Sequence, residues 1–524
     1  MATSPQRRWQ AACPNCGAPV EFRSAASAPA VCSFCRSTLA REGDALRRIG
    51  QSADLFEDYS PLQIGANGHH AGEGFTLVGR LQISYQGGSW NEWHALFDNG
   101  RSAWLSEDNG RFVMSFEAPL TEVVPAPTAL IIGAPLTLAG QRWQVGAVTQ
   151  AQVAAAQGEL PRPPASRFVV AELRNAQDEV GSLEFHAAQD DAVPLWSVGR
   201  AVRIDELGMS GLREDSSKTL GSRSLPCPSC GAPLEPLLDS SKSITCGHCH
   251  AVVDLTQSAD SAALAYFAQQ AGPDPRIALG TQGQLPIELG GPPVDWQVVG
   301  YQERREIGDD EPSSWREYLL FNRTAGFAFL VDTDDGWSLV RPLTGAPSDL
   351  GETAVWQGKR FAHRWTYQAE TTRVLGEFYW RLERGERAEV SDYELRGTGR
   401  SELMSREQMS GEVVWSCGRT LTGAEVATAF GLGAAAAAAI ARPDVRSGAG
   451  LLRTIIIVVI VLIVLMLLLR ACTRDDCQSY RDNFGANSAE YLACKARNNP
   501  RIVPTGSGAG GSWGGFGSGG GGHK

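Results

Sequence analysis

Ser89-Trp90-Asn91-Glu92-Trp93 returns later in the chain as Ser314-Trp315-Arg316-Glu317-Tyr318, and this echo decides the architecture. Working outward, Leu96-Phe97 matches Leu320-Phe321, and Ala103-Trp104-Leu105 matches Ala328-Phe329-Leu330. Further on, Gly140-Gln141-Arg142-Trp143 matches Gly358-Lys359-Arg360-Phe361, and Trp196 to Arg200 matches Trp415 to Arg419. A repeat of this length with two copies makes a tandem pair of domains and not a solenoid. Within each copy, short runs rich in branched and aromatic residues are divided by turn signals such as Asp98-Asn99-Gly100 and Asp334-Asp335-Gly336. Asn-Gly and Asp-Gly favour tight hairpins, so the copies read as meanders that close into a small β-barrel or β-sandwich. Helices are expected at Gln150 to Gln157, with Thr149 as N-cap, at Gly423 to Phe430, and in the Ala-rich linker from Ala434 to Ala441. His69-His70 has no counterpart in the second copy and reads as a loop.

A cysteine pattern precedes each copy. Cys13-Pro-Asn-Cys16 is followed after fifteen residues by Cys32-Ser-Phe-Cys35, and Cys227-Pro-Ser-Cys230 after fifteen by Cys246-Gly-His-Cys249. A C-x2-C knuckle aims two thiolates at one point, and two facing knuckles give a closed four-sulfur site that suits a structural zinc ion. All ligands come from the chain, so no position is left for a catalytic water. The pattern predicts two zinc ions in two ribbons, with His248 and His250 as bystanders.

The whole chain has 524 residues and a formal net charge of −11. That charge argues against a general nucleic-acid coat, which needs a basic surface. From Thr454 to Leu469 the sequence is TIIIVVIVLIVLMLLL, without a charge. With Leu451 and Leu452 it is long enough to span roughly 28 Å as a helix, about a bilayer's hydrocarbon. The expected layout is mainly β: ribbon 1 at 1–48, β domain 1 at 55–210, ribbon 2 at 222–256 and β domain 2 at 270–428. An Ala/Gly linker follows at 431–450, a transmembrane helix at 451–470, and a Cys-containing, Gly-rich tail at 471–524.

No secretion signal precedes the thiolate sites. The N-terminal domains are therefore expected in the cytoplasm, with a single pass through a bacterial inner membrane and a short tail outside. In that tail Cys477 and Cys494 are candidates for a disulfide, and Cys472 is juxtamembrane. Cys417 stands where the first copy has Val198 and reads as a buried thiol without chemistry.

Glu92 and Glu317 are charges kept in both copies, which core packing does not require. Arg142 and Arg360 also recur, and structural ion pairs between them and the glutamates are the preferred reading, ahead of catalytic carboxylates. Glu377 lies in Gly376-Glu377-Phe378-Tyr379-Trp380, and its nearest match in the first copy is Ala171-Glu172-Leu173.

The Cys-Pro-x-Cys-Gly-Ala-Pro ribbon, the Ser-Trp-x-Glu-[Trp/Tyr] element and the Gly-Glu-Phe-Tyr-Trp element together resemble the bacterial family catalogued as domain of unknown function 4178, over 55–205 and 270–420. The resemblance implies a bacterial, often membrane-associated protein, with relatives encoded near genes for polyamine-type aminopropyl transfer. It implies no established activity and carries over no catalytic residue.

Three functions compete. A membrane-anchored scaffold or adaptor, with the lipid bilayer and a protein as partners, leads, since the chain has no Walker A motif, no H-E-x-x-H motif and no strand-to-helix G-x-S-x-G elbow. A small-ligand sensor or enzyme linked to polyamines would use Glu92, Glu317 or Glu377 in a barrel mouth to hold a polycation. Nucleic-acid binding would rest on the seven arginines against three acidic residues in 1–48, an excess the second ribbon lacks.

Overall fold

A computed structural model describes residues 9–440, except 25–28, 43–44, 54, 56–59, 87, 109–110, 165, 187–192, 214–224, 239–240, 256–263, 309–311, 350, 384 and 397–400, and residues 477–497. These fall into two units, one ending at Ile440 and one from Cys477 to Arg497.

In the first unit each copy is a closed, wholly antiparallel eight-stranded barrel, which settles the choice between barrel and sandwich. The first barrel contains β1 (Glu73–Tyr85), β2 (Gly88–Phe97), β3 (Ser102–Asp108), β4 (Arg111–Glu117), β5 (Gln141–Glu159), β6 (Phe168–Arg174), β7 (Glu179–His186) and β8 (Leu195–Val202). The second contains β9 (Pro293–Ile307), β10 (Ser314–Asn322), β11 (Gly326–Thr333), β12 (Gly336–Pro342), β13 (Lys359–Phe378), β14 (Arg387–Arg396), β15 (Ser401–Gln408) and β16 (Val413–Leu421). Two four-stranded meanders join twice: β4 pairs β8, and the long β5 pairs back onto β1, closing the ring. The second copy does the same through β12–β16 and β9–β13. Closure removes exposed edges, the usual liability of an isolated sheet.

The expected helix at Gln150 to Gln157 is instead the middle of β5. Its Ala-rich sequence favours a helix locally, but Gln150 and Ala151 pair with β6, and Gln152 to Gln157 pair with β1. Two ladders outweigh a propensity worth tenths of a kcal/mol per residue. His69-His70 is likewise not a loop: it ends the strand Asn67–His70, paired with β1. The second expected helix is present as α1 (Gly423–Ala429), where the Thr422 hydroxyl accepts from the Glu425 N–H and the Glu425 carboxylate accepts from the Thr422 N–H. A second short helix, α2 (Ala434–Ile440), follows. Its Ile440 is buried with Trp296, Tyr318 and Phe430 over the outer face of the second barrel.

Alternate residues on each strand face out and in. In the first barrel the outer face carries two separate apolar clusters, one around Phe75, Trp93 and Leu105 and one around Trp143, Leu183 and Trp196. Chain segments outside the barrel cover them, for example Leu62 and Leu207. The shared aromatics Trp93, Trp143 and Trp196 are therefore core. The inner faces of the two barrels differ, as described below.

The copies also touch each other. Trp415 Nε1 donates to Gln144 Oε1 (2.8 Å), Gly345 N–H donates to Asp178 Oδ1 (3.0 Å), and Lys242 Nζ lies 3.2 Å from the Tyr85 hydroxyl. In the second unit the helices Gln478–Phe484 and Ala489–Arg497 are tied by a Cys477–Cys494 disulfide with Cα atoms 5.7 Å apart. The apolar segment 451–470, Cys472 and the Gly-rich tail lie outside the described residues, among which no helix is long and apolar enough to cross a membrane.

Candidate metal centres and barrel lumens

Each four-cysteine set converges. In both clusters the four sulfurs lie within 4.8 Å of one another, one pair of thiols buried and the other nearer the surface. Sγ–Sγ separations are 3.7 Å for Cys13–Cys35, 3.6 Å for Cys16–Cys32, and 3.7 Å for both Cys227–Cys249 and Cys230–Cys246. A tetrahedral ion with bonds near 2.3 Å needs sulfur–sulfur edges of about 3.8 Å, so the cages have the size of a four-thiolate metal site. Each knuckle is closed by a backbone hydrogen bond, such as Gly17 N–H to the Cys13 carbonyl (2.8 Å) and His250 N–H to the Cys246 carbonyl (2.9 Å). His248 and His250 join neither sulfur set. Cys417 is partly buried, and desolvation pushes its thiol up to about 11, which disfavours the thiolate.

The ribbons are welded to the barrels at one equivalent place. Strand β5 runs past the barrel and pairs with Pro29–Val31 of the first ribbon, and β13 pairs with Ser243–Thr245 of the second. At that junction Glu159 accepts from the Arg23 and Ser24 N–H groups (2.7 and 2.8 Å). Glu377 accepts from the Leu237 and Leu238 N–H groups (2.7 and 2.9 Å) and from the Ser241 hydroxyl (2.6 Å). Glu377 is thus a clamp, and its true counterpart is Glu159, not Glu172. The signal was present in the sequence as Gly158-Glu159-Leu160 against Gly376-Glu377-Phe378. Both glycines have positive φ, 73° and 83°. A Cβ on Gly158 would stand 2.3 Å from the Val78 carbonyl oxygen, and one on Gly376 2.3 Å from that of Val299. Only glycine allows β5 and β13 to approach the first strand so closely while turning toward the ribbon.

Glu92 and Glu317, the glutamates repeated in both copies, point into the lumens, and the expected ion pairs with Arg142 and Arg360 do not form. Both arginines are exposed near the start of β5 and β13. The carboxylates are met locally instead. Trp90 Nε1 donates to Glu92 Oε1 (2.8 Å) and the Ser106 hydroxyl to Oε2 (2.7 Å). Trp315 Nε1 donates to Glu317 Oε1 (2.7 Å) and Gln302 Nε2 to Oε2 (2.5 Å).

Beyond that shared pair the lumens diverge. The second is filled by a core that includes Trp315, Phe329, Tyr367 and Val390, with Arg304 buried among them. Arg304 donates to Glu407 (2.6 Å), lies 3.6 Å from Glu317 and stands over the Trp315 ring at 5.7 Å. Burial opposes its charge, but the Glu407 and Glu317 carboxylates outweigh burial, so the guanidinium stays protonated. The first lumen is hollow. A half-open cavity of about 2040 Å³ is lined by one face of all eight strands and continues into the second copy, where Gln302, Arg304, Phe329, Tyr379, Trp380 and Glu407 also line it.

Burial in that cavity raises Glu92 to about 7, against the donors Ser106 and Trp90, which favour its ionised form. An unfolded glutamate ionises near 4.5. Between those values the native state holds a proton that the unfolded chain has lost, so stability falls as pH rises through the window and then levels. Glu92→Gln removes this dependence. Melting curves are expected to coincide for wild type and variant at pH 4 and to favour the variant by about 2 kcal/mol at pH 8, after allowing for water in the cavity.

Two eight-stranded barrels, each capped by a four-thiol ribbon through a Gly-Glu clamp, define a tandem ribbon-barrel protein. The family model described as Domain of unknown function (DUF4178) matches residues 63–203 and 292–423, more than half of the chain, and the chain belongs to that family. No curated protein and no solved structure matches it.

Proposed function

We propose that this protein is a membrane-anchored scaffold or adaptor whose duplicated ribbon-barrel modules face the cytoplasm and bind a protein partner. The observation that carries this reading is the repeated clamp: in both copies the ribbon is fixed to the barrel by the same buried glutamate. Rigid coupling of ribbon to barrel suits a platform that presents a fixed surface. Two of the three glutamates that a ligand-processing site would need, Glu317 and Glu377, are already committed to structural hydrogen bonds.

Zinc is the ion we assign to the ribbons. Four thiolates with tetrahedral edges and no open position suit Zn²⁺ in a reducing compartment. The apolar run 451–470 is the proposed anchor, in a bacterial inner membrane with the tail outside.

Tagged full-length protein, extracted from membranes with detergent, should carry about two zinc ions per chain and a near-stoichiometric protein partner. Recovery in the soluble fraction without detergent would refute the anchor. Iron in place of zinc would refute the metal assignment, and a preparation that repeatedly lacks any partner would refute the scaffold.

A further inference from the structure

The two lumens share a box with different contents. Strand register makes Trp90 and Glu92 equivalent to Trp315 and Glu317, and Glu184 equivalent to Glu407. Trp90 faces Ile83 across the β1–β2 ladder, as Trp315 faces Arg304 across β9–β10. Hence the position that supplies the guanidinium in the second barrel is occupied by Ile83 in the first. Neighbouring positions also shrink: Thr149 stands for Tyr367, Ser106 for Val331 and Ser115 for Val340. The second barrel has its cation built in, whereas the first keeps the indole and both carboxylates around open space.

We infer that the lumen of the first barrel is a binding site for a small organic cation, a guanidinium or ammonium head on a short alkyl stem, held by Glu92 and Glu184 against Trp90. Three observations converge on it. The equivalent residues bind a guanidinium in the second barrel, by a 2.6 Å hydrogen bond from Arg304 to Glu407 and its placement over Trp315. The cavity reaches Trp90, Glu92 and Glu184 on the side where Ile83 replaces the arginine, while Arg304 lines its far end in the second copy. Among the described residues, no cation pairs with Glu92, whose two hydrogen-bond donors are the neutral Trp90 and Ser106. Glu184 is already met from one side by Arg162 (3.2 Å) and has His186 at 3.6 Å, so it adds a weaker share of the attraction. The apolar wall at Leu81, Ile83 and Phe168 suits the alkyl stem. A desolvated cation over an indole and beside a carboxylate gains from both contacts.

This site is independent of the scaffold reading, since a partner can be captured whether or not the lumen binds a cation. The test uses full-length protein at pH 8, titrated calorimetrically with n-butylguanidinium, n-butylammonium and neutral n-butanol. Wild type is expected to bind the two cations and not the alcohol. Glu92→Gln, close to isosteric, should weaken cation binding on the order of tenfold or more, the loss of one charge-assisted hydrogen bond. Ile83→Arg should abolish binding by supplying the cation in cis, and should raise the melting temperature as the lumen fills. No heat from either cation with wild type would overturn the inference. So would equal affinity in Glu92→Gln, or equal binding of butanol. An Ile83→Arg protein that folds and still binds the probes unchanged would also overturn it.

Discussion

Arg304→Ala is expected to destabilise the protein by about 3–5 kcal/mol, because it strips the cation from a buried carboxylate pair. Arg304 is 4% exposed and Glu317 1%, and although the cavity reaches Arg304 and Glu407, water there offsets two carboxylates less well than a guanidinium does. The energetic asymmetry is that of all buried ion pairs. Removing one member leaves charge stranded in low dielectric, whereas removing the whole set costs little. The combined variant Arg304→Met, Glu317→Gln, Glu407→Gln should therefore recover most of the loss. Thermal melts would show a drop on the order of 10 °C for the single variant and near-recovery for the triple. If the single variant melts within about 1 °C of wild type, the lumen is hydrated and the arginine is not a structural plug. The same measurement bears on the first barrel, whose lumen does without this cation and tolerates Glu92 with neutral donors at its higher protonation range.

Much of this architecture was legible in sequence, for identifiable reasons. The cysteine spacing leaves few geometries for eight thiols, and the sulfurs converge as the spacing implies. The Ser-Trp-x-Glu element fell on equivalent strands because indole and carboxylate bond each other within one strand, two residues apart. What stayed hidden depended on partners distant in the chain. Ala151 to Gln157 has helix-favouring composition, and only the ladders to β6 and β1 make it a strand. The role of Glu377 required knowing that β13 extends to meet Leu237 and Leu238. The match to Glu172 departs from the spacing that aligns Gly140 with Gly358, and Glu172 faces the lumen beside Arg174, at the position of Asp392. Arg142 and Arg360 recur without pairing because repeated residues need only share a local setting, here the exposed turn side of β5 and β13. Ile83 against Arg304 was invisible for a different reason. Both residues fit a strand, and their equivalence appears only once the register with Trp90 and Trp315 is known.

Glu377→Ala is expected to release the second ribbon from its barrel while leaving both folded. The carboxylate is 5% exposed and satisfies two backbone N–H groups and the Ser241 hydroxyl at once. Truncation leaves those donors without an acceptor, a loss of about 2–4 kcal/mol for charge-assisted bonds made in a buried site. That loss falls on the junction and not on the four-sulfur cage, whose ligands lie elsewhere in the ribbon. The barrel keeps its own closure, because β9 still pairs with β13. Limited proteolysis should therefore cut near Leu237 in the variant well before wild type, with metal content unchanged. Glu159→Ala should act alike at Arg23 and Ser24. Glu377→Gln keeps one acceptor oxygen and should fall between wild type and Ala in protease resistance. Metal loss accompanying Glu377→Ala would mean that clamp and cage fold as one cooperative unit, and that the ribbon cannot stand apart from the barrel. Unchanged protease resistance would mean that the strand pairing of Ser243–Thr245 with β13 and the packing of Phe378 and Val252 hold the ribbon without the glutamate.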